Sequence, residues 1–203
     1  MKKIMFDDKF GLTKAVLDGS KTQTRRIMKG KPLTPSDEIE SAGVLGDEVQ
    51  IIANGGENLI TMKLPFRVGE VVAVAQSYKD AINPIDWVSM KLYEGTSGWN
   101  NKMFVRAELM PHRIRITDVR VERLQDISDE DCINEGIVKD TCKTYFNGYT
   151  AKFSLDQYNN MLSSEWFRTP REAFAHLINK VSRKDVWNLN PYVFVYDFEL
   201  VKS

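Results

Sequence analysis

The sequence predicts an α+β fold: a small β-barrel with flanking helices and two insertions. Short strand patterns outnumber helical ones and do not alternate regularly with them, which argues against a doubly wound parallel sheet. Val71–Ala75 is a continuous apolar run, typical of a strand covered on both faces. In Arg113–Leu124 the apolar residues change face near Thr117-Asp118, as a bulge or barrel corner requires. Together these features favour a barrel.

The first elements are predicted from caps and periodicity. Asp7 or Asp8 can cap a helix that runs to about Asp18, and Gly19 is placed to end it. Lys3–Phe6 before this helix and Thr24–Met28 after it are predicted as strands.

An insertion is predicted over about residues 30–65. Residues 30–47 are polar and broken by proline and glycine, which indicates a long loop. Val49–Ala53 and Asn58–Met62 flank Asn54-Gly55-Gly56 and predict a hairpin that projects from the main body. Residues 80–101 show no periodicity and are predicted to be irregular.

The C-terminal half is predicted to hold two capped helices and a final strand. Ser128 with Asp131 caps a short helix that Gly136 stops, and a second insertion follows over about residues 138–165. The strongest helix prediction is 170–182, with Thr169 and Glu172 as its capping box. The remaining predictions are a helix in the second insertion that contains Leu155, Tyr158 and Leu162, a final strand at Tyr192–Val201, and one domain spanning 1–203.

Composition excludes several classes of protein. The chain has 203 residues, 42% of them hydrophobic and 28% charged, as in a soluble globular protein. Its two cysteines, Cys132 and Cys142, and two histidines give neither a disulfide framework nor a zinc pattern. No stretch approaches the length of a membrane span or a signal peptide. We expect a cytoplasmic protein with no membrane partner, no metal and no cofactor.

Charge is zero overall but unevenly distributed. Residues 1–31 carry nine basic and three acidic residues, a net charge of +6. Residues 32–70 carry two basic and seven acidic residues, a net charge of −5. A basic N-terminal block suits phosphate groups, unless acidic neighbours cancel it in the fold.

The segment 19–26, Gly-Ser-Lys-Thr-Gln-Thr-Arg-Arg, is the leading candidate for a functional site. After the glycine it contains three hydroxyls, one amide and three cations, and no apolar side chain to bury. Two interpretations fit: a solvated turn, or the rim of a site for a polar, anionic ligand.

Several segments, taken in order, resemble the ASCH family, whose fold is a PUA-like β-barrel with an N-terminal helix. They are the helix followed by segment 19–26, Val68-Gly69-Glu70 before the buried strand, Met110-Pro111 before Arg113-Ile114, the run 117–128, Glu135-Gly136-Ile137, and Trp187 with Asn190-Pro191. The resemblance spans nearly the whole chain and is closest to longer phage-type and bacterial members.

The resemblance implies binding of RNA or a modified nucleoside in a basic cleft beside the first helix. Tyr78, Trp87 and Trp99 are candidates for stacking on bases, and His112 beside Arg113 is a candidate for contacting phosphate. The full set of candidate ligand-binding residues is Lys21, Thr22, Thr24, Arg25, Arg26, Gln76, Tyr78 and Arg113.

The resemblance also implies an alternative enzyme function. A small bacterial member removes the acetyl group of 4-acetylcytidine with a lysine, a threonine and a glutamate, and its Lys-x-x-Thr spacing matches Lys21 and Thr24. The family strand ends in Arg-Glu, where this chain has Ala75-Gln76. Glutamine cannot carry the glutamate's proton or charge, so binding without turnover is the favoured function.

Overall fold

The fold was analysed in a computed structural model that describes residues 1–28, 33, 37–56, 58–82, 86–140, 148–151 and 166–201. The strands are β1 Lys3–Ile4, β2 Gln23–Ile27, β3 Ile39–Leu45, β4 Glu48–Ala53, β5 Asn58–Lys63, β6 Val71–Val74, β7 Arg113–Arg123, β8 Ile137–Asp140, β9 Gly148–Ala151 and β10 Tyr192–Val201. The helices are α1 Leu12–Leu17, α2 Tyr78–Ala81, α3 Trp87–Tyr93, α4 Asp129–Asn134, α5 Pro170–Ser182 and α6 Val186–Leu189. This confirms the α+β prediction.

The main sheet has five strands in the order β1-β6-β7-β10-β2, and only the β1–β6 pair is parallel. Register shifts between β7 and β10 because Asp197 pairs with Asp118 while Phe198 pairs with Ile116. Thr117 is therefore the extra residue of a β-bulge, as the change of face in the sequence predicted.

The predicted barrel is not confirmed, because no sheet in the described part of the chain closes on itself. The edge strands of the main sheet are β1 and β2, and β1 is only two residues long. Across the gap, Arg26 Nη2 donates to the Met5 carbonyl oxygen at 2.7 Å. A side-chain hydrogen bond thus joins the two edges where a closed barrel would have a strand ladder.

The first insertion differs from its prediction. The hairpin is confirmed as β4 and β5, but β3 precedes it and makes a three-stranded sheet. Val49 and Ile51 are buried in the main core, so this sheet packs on the body of the protein and does not project. The prediction of a loop over residues 39–45 was wrong. These side chains are mostly exposed and polar or small, so the strand has little alternating apolar pattern.

The capping signals in the sequence predicted helices α4 and α5 correctly. Thr169 and Glu172 form both hydrogen bonds of the capping box, and Ser128 accepts from the Asp131 backbone N–H. The first predicted helix is broken instead: a 3-10 turn, Asp8–Phe10, ends at Gly11, whose φ of 64° interrupts the helix before α1.

A further difference concerns a region predicted to be irregular. Helix α3 lies within the stretch 80–101, and Asp86 caps it by accepting from the Ser89 backbone N–H. Leu155, Tyr158 and Leu162 of the predicted second-insertion helix lie outside the described residues. None of the helices in the described ranges has the length and apolar character needed to cross a bilayer.

Candidate functional site

A cavity of about 430 Å³ lies in the gap between the two edges of the main sheet. One side is formed by the chain just after β1, and the other by Lys21 and the first part of β2. Glu135 at the end of α4 and one face of α5 complete the lining. The volume falls within the range of small-molecule sites, roughly 300–1,000 Å³.

Backbone hydrogen bonds fix Lys21 where α1, β2 and α4 meet. Its N–H donates to the Ala15 carbonyl at 2.9 Å, which ties the turn back to α1. The next residue, Thr22, donates from its N–H to the Asn134 carbonyl at 2.9 Å, which ties the turn to α4. The Lys21 side chain is only 2% exposed, so the solvated-turn interpretation does not hold for this residue.

Lys21 forms a buried ion pair with Glu135. Its Nζ donates to the Glu135 carboxylate oxygen Oε2 at 2.5 Å and to the Glu135 backbone carbonyl at 2.8 Å. The following residue, Gly136, has a φ of 99°, a conformation that favours glycine. Burial lowers the pKa of the Lys21 ammonium, although the nearby Glu135 carboxylate opposes that shift.

Arg25 is held by carboxylates. Its Nε bonds Glu122 Oε1 at 3.0 Å, Nη2 bonds Asp131 Oδ2 at 2.8 Å, and Nη1 bonds Glu135 Oε1 at 3.3 Å. Burial disfavours its charge, but Glu135 and Glu122 outweigh burial and raise the pKa of the guanidinium. Arg25 therefore anchors β2 to α4 and holds Glu135 in place against Lys21.

The contacts of the Arg26 side chain differ from those of Lys21 and Arg25. Its Nη2 donates to the Met5 carbonyl, and its guanidinium lies 5.6 Å from the centre of the Phe6 ring. Its Nε is buried and has no hydrogen-bond partner. No described carboxylate lies within ion-pair distance; burial lowers the pKa of the guanidinium, although the charge of the Glu135 carboxylate opposes that shift.

The remaining wall of the cavity is apolar and belongs to α5. The helical spacing of its residues puts one apolar stripe toward the sheet. Four side chains of this stripe line the cavity: Phe174, Leu177, Ile178 and Val181. Thr24, 5% exposed, lines the same cavity from β2. The cavity thus combines an apolar wall from α5 with polar and charged side chains from the other elements of the lining.

The structure brings together four of the eight candidate residues: Lys21, Thr24, Arg25 and Arg26. Thr22 is exposed, and its carbonyl accepts from the Phe198 N–H. The other three, Gln76, Tyr78 and Arg113, are not among the described residues that line the cavity.

Gln76 and Tyr78 belong to a separate part of the fold. The Gln76 backbone N–H lies 3.4 Å from the Met110 sulfur, and its side-chain oxygen is buried without a partner. Tyr78 is 5% exposed and its hydroxyl accepts from the Arg106 N–H, so its ring is a core element rather than an exposed stacking platform. Arg113 is exposed at the start of β7.

Glu135 is the cavity residue whose role the sequence did not reveal. It lies 114 residues from Lys21 along the chain, and no local pattern pairs the two. The available signal was its position: a carboxylate at the end of a capped helix, directly before a glycine that turns the chain. In the structure Glu135 is the acidic residue whose carboxylate contacts Lys21 Nζ.

Comparison with models of known protein families, with characterised proteins and with solved structures finds no match. The resemblance to the ASCH family therefore stays a prediction from sequence. Within the described residues, no group of three or more His, Cys, Asp or Glu is arranged to hold a metal ion. Function is consequently argued from the cavity itself.

Proposed function

We propose that this protein binds a modified nucleoside in the cavity beside α1 and β2. The observation that carries the proposal is the joint presence of Lys21, Thr24 and Glu135 on one side of a cavity whose other side is the aliphatic stripe of α5. An apolar wall suits the face of a base, and the polar side suits its exocyclic and ribose groups. A PUA-like fold, as the ASCH resemblance implies, is part of this proposal.

Burial favours a nucleoside over an RNA chain as the ligand. Binding of an RNA backbone depends on cations that meet phosphates at the surface. Here Lys21 is 2% exposed and Arg25 is 6% exposed, and both are paired with carboxylates. The basic stretch that looked suited to RNA is mostly enclosed and neutralised.

Calorimetric titration tests the proposal. We expect 4-acetylcytidine to bind at a single site, with an affinity that changes little with salt because few phosphate contacts are made. A single-stranded RNA oligonucleotide should bind weakly or not at all. Tight RNA binding with steep salt dependence, and no binding of the nucleoside, would favour the RNA alternative and contradict this proposal.

A second candidate function is hydrolysis of the acetyl amide, favoured by the 2.5 Å contact between Lys21 Nζ and Glu135. Transfer of the Lys21 proton to Glu135 leaves a neutral amine that can accept the Thr24 hydroxyl proton. The Thr24 oxygen attacks the amide carbonyl, Glu135 protonates the leaving amine, and water then cleaves the acyl-threonine to release acetate. These steps account for every proton and for the acetyl group, and they need no cofactor.

This second function predicts a pH dependence. Turnover of 4-acetylcytidine to cytidine and acetate needs the one proton that Lys21 and Glu135 share, so it should fall as pH rises and Lys21 loses its proton to solvent, with a midpoint below 10.5 because burial lowers that pKa. Chromatography of the products measures it, with Thr24→Val as the inactive variant and Thr24→Ser as its matched control. If the wild type releases no cytidine at any pH, the protein binds without turnover.

A further inference from the structure

We propose that the natural ligand carries a phosphate and that Arg26 binds it, so that the cavity holds a nucleotide. This inference rests on the proposed nucleoside function and specifies its ligand. It starts from a difference among three cations of the cavity lining: Lys21 and Arg25 are buried, and Arg26 is half-buried. Lys21 and Arg25 are matched by carboxylates, whereas no described carboxylate pairs with Arg26.

A largely enclosed cation without a counter-ion is costly. A charged group taken out of water is normally paired or hydrogen-bonded, because its hydration is lost. Arg26 is half-buried and keeps one hydrogen bond to the Met5 carbonyl and a cation–π contact with Phe6. Neither contact is a counter-ion. An oxyanion in the cavity would supply the missing charge and accept hydrogen bonds from the guanidinium where it lines the cavity.

The described lining keeps one unmatched positive charge after its ion pairs are counted. Lys102 is bound to Asp8 at 2.6 Å and Lys21 to Glu135, and Arg25 is paired with Glu122 and Asp131 outside the lining. Of the other charged lining residues, Lys9 and Arg26 are basic and Asp7 is acidic, a net charge of +1. This excess favours an anionic ligand, and a phosphate monoester offers three strong acceptor oxygens, one more than a carboxylate. The planar guanidinium of arginine can bind two of them at once.

Calorimetry with cytidine, cytidine 5′-monophosphate and inorganic phosphate tests this assignment. We expect the wild type to bind the nucleotide at least about tenfold more tightly than the nucleoside, which corresponds to about 1.4 kcal/mol of binding free energy. Arg26→Gln should bring the two affinities close together, because it lowers the affinity for the nucleotide far more than the affinity for the nucleoside. Arg26→Lys keeps the charge and should retain part of the preference.

Loss of folding is not expected in Arg26→Gln, because Arg26 is half-buried and the change breaks no ion pair in the described residues. A second readout follows the Arg26 Nε–H resonance by NMR as inorganic phosphate is added. If phosphate moves this resonance although cytidine does not bind, the phosphate site stands and the nucleoside function fails. If cytidine binds and the nucleotide binds no better, or if neither phosphate nor nucleotide affects Arg26, the assignment is overturned.

Discussion

Replacing Glu135 with glutamine should lower the free energy of unfolding by about 3–5 kcal/mol, the usual cost of removing one partner from a buried ion pair. Glutamine has nearly the same size, so the loss reflects charge rather than packing. The substitution leaves the Lys21 ammonium, which is 2% exposed, without a counter-ion. It also removes one of the three carboxylates around Arg25.

Urea denaturation measures this effect, with Glu199→Gln as the matched control. Glu199 pairs with Arg115 at 3.6 Å and its side chain is 63% exposed, so the control should change stability by less than about 1 kcal/mol. Combining Glu135→Gln with Lys21→Met should recover much of the loss, because the double variant leaves no unpaired lysine. A loss in Glu135→Gln no larger than that of the control would show that the pair is not buried as described.

Filling the cavity should abolish ligand binding without unfolding the protein. Ile178 lies on α5 and lines the cavity, so Ile178→Trp directs its larger ring into empty space. We expect the affinity for 4-acetylcytidine to fall by more than about tenfold, equal to ~1.4 kcal/mol. Stability should change little, because overpacking is costly in a filled core rather than at a cavity.

The matched control for this substitution is Leu92→Trp. Leu92 lies on α3, is 67% exposed and does not belong to the cavity lining. The control should bind 4-acetylcytidine as the wild type does. Undiminished binding in Ile178→Trp would place the ligand elsewhere on the protein.

Features encoded by neighbouring residues could be predicted from the sequence. The capping box at Thr169 and the N-cap at Ser128 need only residues three positions apart, and both helices begin where expected. The bulge at Thr117 was visible because a slip in the period-2 pattern moves side chains to the other face. In contrast, β3 was missed, because a mostly exposed strand has little hydrophobic periodicity to reveal it.

The site was predictable only in part, and for a physical reason. The segment 19–26 was identified from its local concentration of polar side chains, and four of the eight candidate residues do line one cavity. Which cation is neutralised and which is not depends on contacts that span the chain. Lys21 and Arg25 form ion pairs with carboxylates about 100 residues away along the chain, and Arg26 forms none with the described residues. No sequence pattern distinguishes these adjacent arginines.

The central claim is that the cavity between the sheet edges is the ligand site. Methyl NMR of the protein titrated with 4-acetylcytidine tests it directly, because Leu12, Leu177 and Ile178 line the cavity, whereas Ile52 and Leu59 lie exposed on the three-stranded sheet. The account predicts shifts confined to the first group. Shifts only at the second group, or no shifts at all, would contradict it.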